Sequence, residues 1–261
     1  MPNVQNGATR IYWRSDGDPS LPGLVLGNSL GTDFSLWDPI LDDLMNDFFV
    51  VRFDMRGHGG SDAPCTDYTV DQLTDDAQAV IQAAKLKTYD YWGISLGGMV
   101  GMSLGARQPA GLRKLVLSNT AAEFDPAVWP ARIAAVREGG MSGIVDAVLG
   151  RFYTPEFLAA NSMALKRMRN TVLSQSPDGY IGCCAAIRDM NIKPQLDKIQ
   201  VPALIVAGEL DQSTPPSRAN DLAGWIKGSR VTSLPSAHIP VTEMPQDYYR
   251  AVVQDFLKTS S

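Results

Sequence analysis

A serine flanked by two glycines, in the stretch Gly93-Ile94-Ser95-Leu96-Gly97, constrains the fold of this chain more than any other feature. The residues before it form a short strand-like run, and the apolar residues after it have helical spacing. Gly-x-Ser-x-Gly between a strand and a helix is typical of a nucleophile elbow, a sharp turn that lifts a reactive serine above a sheet. The turn strains the serine backbone, and a side chain at Gly93 or Gly97 would strike the neighbouring strand or helix. The sequence therefore predicts that Ser95 is a nucleophile.

Short apolar runs alternate with helical segments along most of the chain. The predicted strands are the run before Ser95 and residues 9–14, 23–27, 48–54, 113–119, 201–208 and 229–234, with residues 9–14 at an edge. Repeated strand–helix units predict an α/β fold, with a mostly parallel, doubly wound sheet and helices on both faces. In such a sheet, ligand chemistry lies at the carboxyl ends of the strands.

The pattern changes between residues 121 and 194, where helical segments follow one another without a strand. The helices predicted there are residues 130–139, 144–152, 155–174 and 179–190. We interpret residues 121–194 as a helical cap inserted into an α/β core formed by residues 1–120 and 195–261. A chain of 261 residues is long enough for one large α/β domain with such an insertion.

A neutral serine needs a base within hydrogen-bond reach, and this chain has two histidines. His238 lies in the loop between the last predicted strand and the last predicted helix. Behind an elbow of this kind the acid and then the histidine follow the serine along the chain, so we predict that His238 is the base. His58 precedes the serine in a glycine-rich turn, and we interpret it as a residue that hydrogen-bonds the loop beside the site.

The histidine needs a carboxylate that fixes its tautomer and stabilises its cation. Asp211, in the loop after the first strand beyond the cap, is our choice, and Asp125 after the preceding strand is the alternative. Two backbone N–H groups are needed to stabilise an oxyanion. We assign these to Leu96, directly after the nucleophile, and to Leu30, in the loop after the strand at residues 23–27.

Composition narrows the range of partners. The net charge of −5, the pI of about 5.0 and the lack of a Lys/Arg cluster disfavour nucleic acid. No apolar run reaches ~18 residues, and the first residues lack a signal-peptide pattern, so we expect no membrane span and a cytoplasmic location. Three cysteines do not form a disulfide framework, and two histidines without a Cys-x-x-Cys pair leave little material for a metal site. The oligomeric state stays open.

At these motifs the sequence resembles the α/β-hydrolase superfamily and, within it, the 3-oxoadipate enol-lactonases. The matching segments cover nearly the whole chain and are residues 28–32, 37–38, 56–59, 93–98, 119–122, 128–129, 180–189 and 201–208. The Asn-Ser-Leu-Gly-Thr loop at residues 28–32 is more telling than the elbow, since most relatives carry His-Gly there. The chain departs from the family after His238, where Ile239 and Pro240 stand in place of Leu-Ser.

The resemblance implies hydrolysis of a small anionic enol-lactone that bears a carboxymethyl group, in the β-ketoadipate pathway of aromatic compound catabolism. Ser95 would attack the ring carbonyl, His238 would take its proton, and water would release the acid from the acyl-enzyme. No metal and no organic cofactor are needed for this reaction. For the substrate carboxylate we predict Arg188 as the partner, with Arg132 and Arg137 behind it. Trp129, at the cap entrance, is the predicted pocket wall.

Other functions on the same scaffold are open at this point. They are a general carboxylesterase or another lactonase, a carbon–carbon-bond hydrolase, a cofactor-free perhydrolase or haloperoxidase, and a catalytically silent binding relative. The presence of Ser95, Asp211 and His238 together argues against the silent relative.

Overall fold

The computed structural model describes residues 2–259, and an eight-stranded sheet runs through them. The strands are β1 (Asn3–Asn6), β2 (Thr9–Asp16), β3 (Gly23–Gly27), β4 (Phe49–Phe53), β5 (Tyr89–Ile94), β6 (Leu112–Ser118), β7 (Ala203–Gly208) and β8 (Arg230–Leu234). Their order in the sheet is β1-β2-β4-β3-β5-β6-β7-β8. The β1–β2 and β2–β4 pairings are antiparallel and the remaining pairings are parallel. The predicted mostly parallel α/β fold is confirmed.

The central strands are buried along their whole length, which explains their apolar composition. Every residue of β3, β5 and β7 is buried, as expected where helices cover both faces of a parallel sheet. The register pairs Gly27 at the end of β3 with Gly93 near the end of β5. This pairing sets the loop that follows β3 directly beside the turn that carries Ser95.

Helices of the core cover the two faces of the sheet. They are α1 (Asp38–Met45), α2 (Val70–Ala83), α3 (Leu96–Ala106), then, beyond the cap segment, α9 (Pro216–Trp225), α10 (Pro240–Glu243) and α11 (Pro245–Tyr249). Helix α2 begins with a capping box, in which Thr69 and Gln72 each accept a hydrogen bond from the other's backbone N–H. Helix α3 is buried at every residue because it packs against β5, β6 and α2.

Between β6 and β7 the chain forms helices and, among the described residues, no strand. The helices are α4 (Trp129–Gly139), α5 (Val145–Phe152), α6 (Pro155–Ala159), α7 (Met163–Leu173) and α8 (Pro177–Asp189), and we call them the cap helices. The single helix predicted over residues 155–174 is wrong. Asn161 has a positive φ of 43°, and the Ser162 side chain accepts from the Leu165 N–H and starts a new helix. The division into core and cap at residues 121 and 194 stays a prediction.

The first strand and the last helix each need a separate description. The short strand β1 was not predicted, and it makes β2 an interior strand rather than the edge. At the other end, α11 continues as a π-helix over Arg250–Leu257. The Lys114 ammonium stabilises that helix end by donating to the carbonyls of Phe256, Leu257 and Thr259. No helix within residues 2–259 has the length and apolar character needed to span a bilayer.

Candidate active site

Ser95 occupies the tight turn between β5 and α3. Its backbone has φ 56° and ψ −114°, in the left-handed region that non-glycine residues rarely adopt. The Ser95 N–H donates to the Ser118 carbonyl at 2.9 Å, and the Thr120 hydroxyl donates to the Ser95 carbonyl at 2.8 Å. These bonds to the neighbouring β6 region hold the strained residue in place.

Close packing of backbone explains the glycines on either side of the serine. A Cβ at Gly93 would collide with the Gly97 carbonyl, and a Cβ at Gly97 would collide with the Gly27 carbonyl. The Gly97 N–H donates to the Asn28 carbonyl at 2.9 Å, which ties the start of α3 to the loop after β3. The steric argument made from the sequence therefore holds at both glycines.

Asp211 and His238 form a buried hydrogen-bonded pair. The distance from Asp211 Oδ2 to His238 Nδ1 is 2.7 Å, and both residues are 3 % exposed. Oδ2 also accepts from the Thr214 hydroxyl at 2.6 Å and from Asn119 Nδ2 at 3.0 Å. Oδ1 accepts from the backbone N–H groups of Ser213 and Thr214 at 2.7 and 3.0 Å. The carboxylate is thus held by donors on both oxygens.

These contacts keep Asp211 ionised. Burial works against its charge, but the charge and hydrogen bond of His238 and the hydrogen bonds from Thr214 outweigh burial and lower the pKa of Asp211. Because an ionised carboxylate only accepts hydrogen bonds, the proton between the two side chains belongs to His238 Nδ1. When the imidazole is neutral, its Nε2 is therefore free to act as a base.

The loop that carries His238 is tied to the cap helices. The His238 N–H donates to the Phe152 carbonyl at 3.0 Å, and the two rings stack with centroids 5.9 Å apart. Glu243 accepts from the backbone N–H of Ala237 at 2.8 Å and from that of Thr154 at 2.9 Å. The end of α5 and the histidine loop therefore form one connected unit.

Ser95 and His238 line the same cavity, which has a volume of about 600 Å³. Leu30 lines it from the loop after β3, and Trp129 lines it from the first turn of α4. The other lining residues come mostly from the segment between β6 and β7 and are Ser29, Met99, Phe124, Asp125, Val128, Ala131, Arg132, Ala135, Gly143, Ile144, Ala147, Val148, Arg151, Phe152, Tyr180, Ile187, Gln212, Ser213, Thr214 and Arg218. Leu96 directly follows Ser95 as the first residue of α3, so its backbone N–H is one of the unpaired donors of that helix end.

His58 supports the loop on which Leu30 lies. The Gly31 N–H donates to His58 Nε2 at 2.9 Å, and Gly31 has a φ of 83°, which suits glycine. Burial lowers the pKa of His58 to about 4, so the ring is neutral at pH 7 and Nε2 can accept. His58 thus contacts the loop beside the site, in the way the sequence analysis interpreted it.

The structure corrects the prediction for Arg188. Its guanidinium is bound by Asp67 at 3.0 Å and Asp189 at 2.6 Å, and it does not line the cavity. Arg137 does not line the cavity either. The alternative acid Asp125 lies at the cavity on the cap side, where its carboxylate caps a short helical turn by accepting from the Ala127 N–H. Asp211, and not Asp125, is hydrogen-bonded to His238.

Arg132, placed behind Arg188 in the prediction, lines the cavity. Arg151 and Arg218 also line it and were not predicted from the sequence, and neither was the contact of Asn119 with Asp211. Arg132 lies three residues after Trp129 and therefore on the same helix face, which is a usable signal. Asn119 directly follows the carboxyl end of β6, where site residues gather in a parallel sheet. Among residues 2–259, no three His, Cys, Asp or Glu side chains cluster as a metal site would require.

Comparison with known proteins agrees with this architecture. A family model of the alpha/beta hydrolase fold matches residues 22–244. The chain is 32% identical to the 3-oxoadipate enol-lactonase 2 of Acinetobacter baylyi, over 93% of this chain and 91% of that protein. It superposes on the crystal structure of the enol-lactonase from Burkholderia xenovorans LB400 with a TM-score of 0.95 and 35% identity, covering 99% and 100% of the two chains.

A hydrolase from Pseudomonas aeruginosa PA01 is equally similar, with a TM-score of 0.95 and 34% identity, covering 99% of this chain and 98% of that one. A bromoperoxidase from Bacillus anthracis, at 19% identity and a TM-score of 0.89, shares the fold alone. The predicted resemblance to the enol-lactonases is confirmed by these matches. With its elbow, its sheet order and a family model that spans most of its length, this chain belongs to the α/β-hydrolase family and is a hydrolase similar to enol-lactonases.

Proposed function

We propose that this protein opens a small, carboxylated enol-lactone of the 3-oxoadipate enol-lactone type by nucleophilic catalysis at Ser95. The observation that carries the proposal is the 2.7 Å hydrogen bond between Asp211 and His238 at the edge of a cavity that Ser95 also lines. Asp211 fixes the tautomer in which His238 Nε2 is the base, and it stabilises the imidazolium that forms.

In the first half of the reaction, the Ser95 oxygen attacks the lactone carbonyl and its proton passes to His238 Nε2. The carbonyl oxygen becomes an oxyanion that accepts hydrogen bonds from the backbone N–H groups of Leu96 and Leu30. Collapse of this intermediate breaks the ring C–O bond. The leaving oxygen departs as an enolate, which ketonises by taking up the proton that His238 Nε2 received from Ser95. His238 is then neutral again, and ring opening is the easier half.

In the second half, His238 Nε2 takes a proton from water, and the hydroxide attacks the acyl carbon bonded to Ser95. The acid is released and Ser95 regains its proton from His238. Every proton in this cycle moves through the imidazole of His238, whose Nδ1 stays hydrogen-bonded to Asp211. The elbow strain and the glycine packing support this scheme because they hold the reacting oxygen still.

The choice of an enol-lactone rather than a simple ester rests on the similarity to enol-lactonases over nearly the whole chain, cap helices included. A cavity of about 600 Å³ is in the range of small-molecule sites. Its apolar cap residues suit a lactone ring, and its arginines suit an anionic substituent.

The test compares turnover of a carboxymethyl-substituted enol-lactone with that of p-nitrophenyl acetate, in the wild-type protein and in Ser95→Ala. We expect the lactone to be the better substrate by kcat/KM, and both activities to fall at least ~10⁴-fold in the variant. A fluorophosphonate should label the wild-type protein on Ser95. Equal or faster turnover of the ester would mean that the protein is a carboxylesterase rather than an enol-lactonase. Full activity of Ser95→Ala would show that Ser95 is not the nucleophile.

A further inference from the structure

Two arginines reach the cavity from neighbouring cap helices. Arg132 lies on the second turn of α4 and Arg151 lies near the end of α5, and both line the cavity with Ser95. The Arg132 guanidinium carbon lies 5.6 Å from the ring centre of Trp129 and 5.9 Å from that of Tyr180. These rings orient the charged group while leaving its N–H donors unused.

Neither arginine has an anionic partner among residues 2–259. No carboxylate lies within ion-pair distance of either guanidinium, and Arg132 makes no hydrogen bond there. Arg151 donates to the Ala147 carbonyl alone, at a long 3.4 Å. By contrast, Arg188 on α8 is bound by two carboxylates. A guanidinium has five donors, so this pair keeps most of its hydrogen-bonding capacity for a ligand.

The two charges also act on each other. Burial and, next, the positive charge of Arg132 lower the pKa of Arg151. Like charges held together without a counter-ion favour the arrival of an anion. The other charged side chains at the cavity are Arg218, whose contact with Asp221 is 3.9 Å long, and Asp125, which caps its own turn. The lining is therefore positive on balance.

We propose that Arg132 and Arg151 together form the subsite for the substrate's carboxylate, with the reacting carbonyl at Ser95 and the anionic substituent held from the cap. The inference rests on the proposed function and replaces Arg188 as the carboxylate partner. A carboxylate presents two oxygens that match the planar donors of arginine, so the pair selects a small monoanion with its charge at one end.

The experiment compares a carboxymethyl enol-lactone with its carboxamide counterpart, which has nearly the same shape and no charge. The variants are Arg132→Gln, Arg151→Gln and the double variant, with Arg188→Gln as the matched control outside the cavity. For the double variant we expect KM for the anionic lactone to rise about 10- to 100-fold, with kcat little changed. KM for the carboxamide should stay the same, and Arg188→Gln should behave as the wild-type protein.

A binding measurement keeps this inference separate from the proposed reaction. Glutarate, a small dicarboxylate, is titrated calorimetrically into the wild-type protein and the double variant, each in the Ser95→Ala background so that no turnover intervenes. Loss of heat in the double variant alone supports the subsite even if the lactone proves not to be a substrate. Unchanged binding of glutarate, or an equal rise in KM for the anionic lactone and the carboxamide, would overturn the assignment.

Discussion

The two walls of the cavity hold their functional groups in different ways. On the sheet side, Ser95 and Leu30 lie on backbone that is fixed by main-chain hydrogen bonds and by glycines with no room for a Cβ. On the cap side, Arg132 and Arg151 are side chains projecting from helices. The first arrangement fixes the position of an atom, which nucleophilic attack requires. In the second arrangement, a side chain on a helix can be replaced by another without disturbing the fold, which suits recognition of a substrate.

The largest expected effect comes from Asp211→Asn on the sheet side. An amide can donate to His238 Nδ1 and so favour the wrong tautomer, with Nε2 protonated. We expect kcat for lactone or ester hydrolysis to fall about 10³- to 10⁴-fold with KM little changed. Circular dichroism and thermal unfolding are the folding controls. A loss of less than ~10-fold in a well-folded variant would show that His238 does not depend on this carboxylate.

The next effect contrasts a glycine of the elbow with a glycine on a cap helix. In Gly97→Ala the new Cβ meets the Gly27 carbonyl, and neither backbone can move without displacing the elbow. We expect a loss of unfolding free energy of at least about 3 kcal/mol, with loss of activity. The matched control is Gly150→Ala, exposed near the end of α5 with nothing within 4 Å of its Cβ.

Gly150→Ala should be neutral or stabilising by up to about 1 kcal/mol, because alanine favours a helix over glycine. Urea unfolding midpoints of the two variants measure the difference. If both substitutions had the same effect, the distinction between a sheet side fixed by close backbone packing and a tolerant cap side would fail.

The smallest effect concerns two buried titratable groups beneath the sheet-side loops. Asp54 accepts from the backbone N–H groups of Phe34 and Gly60, and burial raises the pKa of Asp54 to about 6. Its contribution to stability is therefore full below about pH 4 and lost as the pH rises through about 6. The contribution of His58 changes with pH in the opposite direction, since burial lowers the pKa of His58 to about 4. Its contribution is full above about pH 6.5 and lost as the pH falls through about 4.

The two contributions oppose each other between about pH 4 and 6.5, so removing one should reveal the other. In Asp54→Asn, the unfolding free energy should rise with pH across this window by about 2–3 kcal/mol relative to the wild-type curve. In His58→Gln, the unfolding free energy should fall with pH across the same window relative to the wild-type curve. The glutamine amide oxygen can still accept from the Gly31 N–H, so that hydrogen bond is kept. Urea unfolding at several pH values measures how the unfolding free energy of each variant changes with pH relative to wild type. Changes of the same sign in the two variants would show that Asp54 and His58 do not act in opposite directions.

Local patterns explain what could be read from the sequence. The elbow glycines, the apolar central strands and the order of Ser95, Asp211 and His238 follow from rules that act over a few residues or along the chain order. These rules predicted the α/β fold. They also identified Ser95 and His238, which line one cavity, and Asp211, which is hydrogen-bonded to His238.

The features that could not be predicted depend on packing between distant segments. Whether an arginine on a cap helix faces the cavity or pairs with a carboxylate depends on the arrangement of the helices, so Arg188 and Arg151 could not be told apart. The bond from Gly31 to His58 joins two loops, and Asn119 reaches Asp211 across 92 positions of sequence. Strand β1 alternates between exposed and half-buried residues and has no apolar run to reveal it.

Glu243 holds the backbone of Ala237 and that of Thr154 with the two oxygens of one carboxylate. Together with the bond from His238 to the Phe152 carbonyl, it joins the imidazole loop to the junction of α5 and α6. A swing of the cap that carried this junction away would take the base with it. The position of the imidazole therefore depends on the position of the junction between α5 and α6 as well as on the sheet.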